Sequence, residues 1–204
     1  ITEPIHFSTW GTQILTPQVS KDYARVEVRT RLSGLGTLRS GKLDLEAELL
    51  SPEGKVVARE QRAGYFGPES VDSVFRAGFD LKAPRLWDIG QPQLYKYVVS
   101  VRHEGKLLDT DTVPFGVRSI ELKAGEGFFL NGRKIKFQGV CLHHDLGPLG
   151  AAVNEAAMRR QIRIMQDMGV NAIRTSHNMP APEFVRLCDE MGMQLMAESF
   201  DCWK

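Results

Sequence analysis

Asp167-Met168-Gly169-Val170-Asn171-Ala172-Ile173-Arg174 and its echo Glu190-Met191-Gly192-Met193-Gln194-Leu195-Met196-Ala197 decide the fold. In each, an acidic residue and a methionine close a helix, and a glycine supplies the backbone freedom that stops it. A mostly apolar run then opens a strand. Upstream of the first copy, Asn154 suits a helix cap, and Met158, Ile162 and Met165 recur along one side of a helix expected to run through Met168. Upstream of the second, Pro182 fits a first helical position, with Phe184, Leu187, Cys188 and Met191 as its apolar stripe. Further back, Asn131-Gly132 marks a hairpin spanning Phe128 to Val140. Its second arm continues through Gln138-Gly139-Val140-Cys141-Leu142, an apolar strand expected to be buried on both faces. Strand, helix, strand, helix, strand is the opening of a parallel α/β architecture. A closed (β/α)8 barrel takes about 250 residues, so the expectation is the first part of a TIM barrel, truncated after its third strand.

Toward the amino terminus the period changes from helical to two. Ala24, Val26, Val28, Thr30 and Leu32 alternate with charged residues, as do Leu43, Leu45, Ala47 and Leu49. Ser51-Pro52-Glu53-Gly54 provides a turn. Phe75, Ala77, Phe79 and Leu81 form another strand face, and Tyr95, Tyr97, Val99 and Val101 one more. About seven short strands with polar turns and no helix predict an immunoglobulin-like β-sandwich. The expected division is therefore 1–114 for the sandwich and 115–204 for the barrel portion, with Phe115 to Leu122 as a connecting strand. The sandwich carries no chemistry of its own and reads as a scaffold.

A formal net charge of +1 gives no reason to expect nucleic acid or an acidic membrane as partner. No apolar run approaches the ~20 residues that cross a bilayer. The chain opens on Ile1 with neither an initiator methionine nor a basic-then-apolar leader, which leaves bacterial cytoplasm, periplasm and secretion all open. The cysteines are odd in number, and Cys141 and Cys188 stand among apolar neighbours, so buried free thiols are expected rather than a disulfide framework.

Barrels of this kind place their reacting groups at the carboxyl ends of the strands. The first strand ends in His143-His144-Asp145, the second in Arg174-Thr175-Ser176-His177-Asn178, and the third in Glu198-Ser199-Phe200-Asp201-Cys202-Trp203. Hydrogen-bonding groups beside an aromatic wall suit a sugar, whose hydroxyls need partners and whose apolar face needs a ring. On an extended strand His143 and Asp145 point the same way while His144 points elsewhere, as a packing histidine. Arg174 is directed into the barrel, where a guanidinium needs a carboxylate, and Glu198 on the next strand is the natural partner. His177 lies in a loop mouth, which favours function over packing. Substrate binding is thus assigned to His143, Asp145, His177, Asn178, Asp201 and Trp203, and support of the site to Arg174 and Glu198. Adjacent histidines diverge, so zinc, which wants three or four convergent ligands, is not expected.

At these residues the chain resembles glycoside hydrolase family two, the β-galactosidases, β-glucuronidases and β-mannosidases, and is most similar to bacterial β-galactosidase-like members. The resemblance rests on Asn171-Ala172-Ile173-Arg174-Thr175-Ser176-His177 continuing through Leu187-Cys188-Asp189 and Gly192 to Glu198. Phe129-Leu130-Asn131-Gly132, Leu86-Trp87 with Pro92, Leu94 and Tyr95, and Trp10-Gly11-Thr12 are similar too. Two departures stand out. Asn178-Met179-Pro180 replaces the usual Tyr-Pro after the histidine, and only His143 carries over from the family's usual first-strand ending. The resemblance implies a retaining β-glycosidase of carbohydrate metabolism acting on a β-glycoside or oligosaccharide. In it, His143 and His177 line the subsite of the sugar being cleaved. It also implies that both catalytic glutamates lie on the fourth and seventh barrel strands, so this stretch alone is expected to be inactive. No cofactor is expected here, and use of a divalent metal by the intact protein stays open. The alternatives are a non-catalytic carbohydrate- or protein-binding module and a metal-dependent hydrolase. Three parallel strands also leave two unpaired edges, from which self-association or a disordered carboxyl-terminal third is expected.

Overall fold

The computed structural model describes residues 2–37, 41–66 and 73–200. The chain packs as two compact units, Ile1–Arg85 with Leu94–Ser119, and Leu86–Gln93 with Ile120–Lys204.

The first unit is a two-sheet sandwich. Strands β1 (His6–Val19), β2 (Tyr23–Ser33) and β5 (Ser73–Lys82) form one sheet in the order β1-β2-β5. Strands β3 (Gly41–Leu50), β4 (Val56–Phe66), β6 (Leu94–His103) and β7 (Lys106–Gly116) form the other, in the order β4-β3-β6-β7. Every pairing is antiparallel. The period-two residues meet between the sheets: Ala24, Val26, Val28 and Leu32 from one, and Leu45, Ala47, Leu49, Val99 and Val101 from the other, are all buried. Tyr97 is fully buried, with its ring edge-on to Phe79 and its hydroxyl accepting from Thr30 Oγ1 at 3.3 Å. Burial pushes its phenol up to about 12.

Two edge strands escape the period-two reading. β1 carries Ser, Thr, Gln and Pro and is interrupted by register shifts between Phe7 and Thr12 and between Leu15 and Gln18. In the first bulge Trp10 adopts φ 56° and stands 83% exposed. β4 begins on two half-exposed valines and continues on polar residues, because an edge strand needs little burial. The division expected after Pro114 also falls inside a strand. β7 pairs with β6 as far as Gly116, since an edge strand tolerates a proline.

In the second unit, β8 (Ile120–Lys123), β9 (Gly127–Leu130) and β10 (Arg133–Ile135) make an antiparallel meander. Asn131 and Gly132 both have positive φ at its second turn. The second arm of that hairpin ends at Ile135 and does not run on. β11 (Gly139–Leu142) is a separate strand, parallel to β12 (Ala172–Thr175), which is parallel to β13 (Gln194–Ala197). Helix α1 (Glu155–Asp167) follows β11, and α2 (Pro182–Met191) follows β12. Asn154 caps α1 by accepting from Ala157 N at 3.0 Å. Met158, Ile162, Met165, Phe184, Leu187 and Cys188 from the helices bury Ile173 and Met193.

β11 is not buried on both faces. Its residues alternate between exposed and half-buried because Val140 and Leu142 pack toward the helices while Gly139 and Cys141 lie on the face that no helix covers. Cys141 is accordingly an exposed free thiol, contrary to the expectation, whereas Cys188 is free and buried, with its pKa raised to about 12 by desolvation. Cys202 lies outside the described residues.

Gly192 ends α2 with φ 69° in the left-handed region. A Cβ there would stand 2.6 Å from Gly90 N, while Gly90 N donates to Gly192 O at 3.1 Å. Gly192→Ala therefore combines left-handed strain with a backbone clash and is expected to destabilise the second unit by at least about 2 kcal/mol, measured by urea unfolding.

Candidate active site

Alternation along the parallel strands sorts the side chains. Val140, Ile173 and Leu195 are register partners, and all three pack toward the helices. Cys141, Arg174 and Met196 form the next row on the opposite face, where Met196 is 59% exposed. This is the face that lines the interior when such a sheet closes into a barrel. Arg174 reaches from it to the end of β13. Its Nε and Nη2 both contact Glu198 Oε1. The other carboxylate oxygen, Oε2, lies 3.1 Å from His177 Nδ1. His177 in turn sits edge-on to His143, with ring centroids 5.7 Å apart at 72°. Three consecutive strand ends thus converge on one cluster: His143 after β11, Arg174 and His177 at β12, Glu198 after β13.

The electrostatics of the cluster follow from its contacts. Desolvation pushes the Glu198 carboxyl up, but the hydrogen bonds and charges of Arg174 and His177 outweigh it and hold its pKa below the ordinary value. The Glu198 hydrogen bond raises Arg174 in return. An ionised carboxylate can only accept, so the His177 Nδ1 that meets Glu198 carries the proton and the tautomer of the ring is set by this contact.

A second carboxylate behaves similarly away from the site. Glu190 bridges the helices, accepting from Arg159 at 2.9 Å and from Arg186 at 2.6 Å. Partial burial pushes its pKa up, but the two guanidinium groups prevail and lower it. Depressed carboxyls contribute stability that is complete above the ordinary value, about pH 4.3 for glutamate, and is lost as pH falls through the folded-state value. Unfolding free energy is thus expected to be independent of these two groups near neutrality and to decline on acidification below that point. Urea titrations at stepped pH, with Glu190→Gln flattening the decline, check this.

Asp145 does not join the cluster. His144 adopts φ 44°, which ends the extended backbone after Leu142, so the expectation that His143 and Asp145 share a direction does not hold. Asp145 Oδ1 instead accepts from Gly147 N at 2.8 Å, closing a local turn. Asn178 is exposed beyond His177, and Asp201 and Trp203 lie outside the described residues. Thr175 joins the cluster without having been among the residues expected from sequence. It is 3% exposed, and its Oγ1 accepts from Glu198 N at 3.2 Å. The available signal was a hydroxyl on the core side of a strand end, where the pattern calls for an apolar residue.

A β-sandwich joined to consecutive β/α units, with its polar residues at the strand ends, defines the architecture of multidomain barrel hydrolases. Residues 12–118 match the family model described as glycosyl hydrolases family 2, and residues 120–201 match the TIM barrel domain of glycosyl hydrolases family 2. The chain belongs to glycosyl hydrolases family 2. It is 41% identical over 203 residues to a β-galactosidase of Bacteroides ovatus, covering 100% of this chain and 24% of the relative. To a β-glucuronidase of Bacteroides fragilis it is 30% identical, over 96% of this chain and 28% of that one. Among solved structures, a family 2 member from Bacteroides cellulosilyticus superposes with a TM-score of 0.94 at 35% identity, over 99% of this chain and 28% of that one. A Bacteroides uniformis β-glucuronidase 2, covalently bound to cyclophellitol-6-carboxylate aziridine, superposes with a TM-score of 0.85 at 28% identity, over 94% and 24% respectively. The chain thus spans about a quarter of the length of the relatives it matches.

Proposed function

We propose that the protein to which this chain contributes hydrolyses terminal β-linked sugars with retention, with a β-galactoside as the leading substrate. The observation that carries this is the convergence of His143, His177 and the Arg174–Glu198 pair at three consecutive strand ends. The β-galactosidase of Bacteroides ovatus supports the choice of sugar. The covalent complex of the Bacteroides uniformis enzyme fits a double-displacement reaction, in which one carboxylate attacks the sugar and another protonates the leaving group. His143 and His177 hold the hydroxyls of the sugar being cleaved, and Arg174 with Glu198 fixes the His177 ring. Asn178, Asp201 and Trp203 remain assigned to the surrounding subsite, whereas Asp145, which closes the turn to Gly147, is not. The two reacting carboxyls are assigned to other barrel strands of the intact polypeptide, of whose relatives this chain spans about a quarter, and turnover is expected of that polypeptide.

Assay of the intact polypeptide against nitrophenyl β-galactoside, β-glucuronide and β-mannoside tests the reading. Cleavage with net retention at the anomeric carbon is expected, fastest for the galactoside, and no cleavage of any of the three overturns it. The same reading makes the open edges of β11 and β13 a liability for the 204-residue chain alone. That chain is expected to self-associate with rising concentration, as followed by sedimentation velocity.

A further inference from the structure

The parallel ladder between β12 and β13 ends at the pair Thr175 and Ala197. The next backbone N–H, that of Glu198, lies beyond it and meets the Thr175 hydroxyl at 3.2 Å. Thr175 is 3% exposed and lines a small apolar cavity with Met158, Pro180 and Phe184, on the opposite side of β12 from Arg174. Apolar surroundings penalise a hydroxyl that makes no hydrogen bond, and valine has the same shape without that penalty. The bond to Glu198 offsets the cost, and Glu198 is the residue whose two carboxylate oxygens hold Arg174 and His177.

We infer that Thr175 is a positioning residue: its hydroxyl pins the Glu198 backbone and, through the Glu198 carboxylate, sets the ring of His177 facing His143. The inference deepens the proposed function and rests on it for its kinetic consequence. The chain of contacts runs from hydroxyl to backbone, from backbone to carboxylate and from carboxylate to imidazole, and no step in it touches substrate. Freeing the backbone lets the carboxylate drift from its two donors. Drift of a supporting group by a fraction of an ångström weakens orientation without removing any reacting atom.

The test compares Thr175→Val and Thr175→Ser in the intact protein. Thr175→Val is expected to lower kcat/KM for nitrophenyl β-galactoside by about tenfold, the size of a lost positioning contact rather than of a lost reacting group. It is also expected to move the acid limb of the pH profile to higher pH, as Glu198 is released toward an ordinary carboxylate. Thr175→Ser restores both. The thermal unfolding midpoint of Thr175→Val is expected to fall by only a few degrees, the size of one lost hydrogen bond, so that the variant stays folded at the assay temperature. Three results overturn the inference: a Thr175→Val enzyme indistinguishable from the wild type, a Thr175→Ser enzyme as impaired as the valine variant, or an activity loss in Thr175→Val that is matched by an equal loss of folded protein at the assay temperature. If the wild type cleaves none of the glycosides, the functional reading fails separately. The inference is then decided by the His177 imidazole nitrogen resonances of the labelled intact protein. A shift in Thr175→Val that is absent in Thr175→Ser upholds it, and unchanged resonances in both refute it.

Discussion

Trp87→Ala is expected to destabilise the second unit by about 3–5 kcal/mol, the range for deleting a large aromatic side chain from a packed interior. Trp87 is fully buried although it comes from Leu86–Gln93, a segment that interrupts the sandwich sequence. Its indole N–H donates to Asp189 O in the last turns of α2 at 2.8 Å. Its own carbonyl accepts from Asn131 Nδ2 at 3.0 Å, at the β9–β10 turn. One residue therefore joins a helix end to a hairpin, and alanine empties the space between them. Trp87→Phe keeps most of the volume but loses the bond to Asp189, for which about 1–2 kcal/mol is expected. Urea unfolding of the three proteins, with amide exchange followed in α2 and β9, separates volume from hydrogen bonding. Equal stability of the alanine variant and the wild type would show that the ring is not part of the core.

The largest expected effect on activity comes from Glu198→Gln in the intact protein, a fall in kcat/KM of about a hundredfold. The substitution preserves shape and removes charge. Arg174 then loses its counter-ion, and the amide competes poorly with the carboxylate for the two donors. On the proposed function, in which His177 holds a hydroxyl of the sugar being cleaved, the effect is expected in kcat as well as KM, because a misaligned ring loses contacts that tighten in the transition state. Glu198→Asp is expected to fall between, having the charge but not the reach. Steady-state kinetics with nitrophenyl β-galactoside, at equal folded fraction by circular dichroism, check the series. A glutamine variant with wild-type kinetics would remove the Arg174–Glu198–His177 cluster from any role in the reaction.

The helix–strand half was legible because its signals are local. Asn154, Gly169, Gly192 and the two apolar stripes act within a turn or two of chain, and Arg174–Glu198 followed from alternation plus the cost of an uncompensated guanidinium. The sandwich core was legible through its inner strands, where one face is buried and the period is enforced. The edge strand β1 was not, because solvent satisfies its outer face and its bulges break the alternation. The direction of Asp145 was misread because strand geometry was carried past Leu142, where His144 turns the backbone. Thr175 was passed over because its partner is a backbone N–H, which no side-chain pattern announces.

The second unit is discontinuous in sequence, borrowing Leu86–Gln93 from between β5 and β6. Its recombination map is therefore interleaved: a crossover placed at Ser119 would carry the β/α segments into a hybrid while leaving behind the tryptophan that fills them. Chimeras that exchange 86–93 together with 120–200 keep the indole with the helix end and hairpin turn that it bonds. Chimeras cut by linear order alone inherit a void between the end of α2 and the β9–β10 turn.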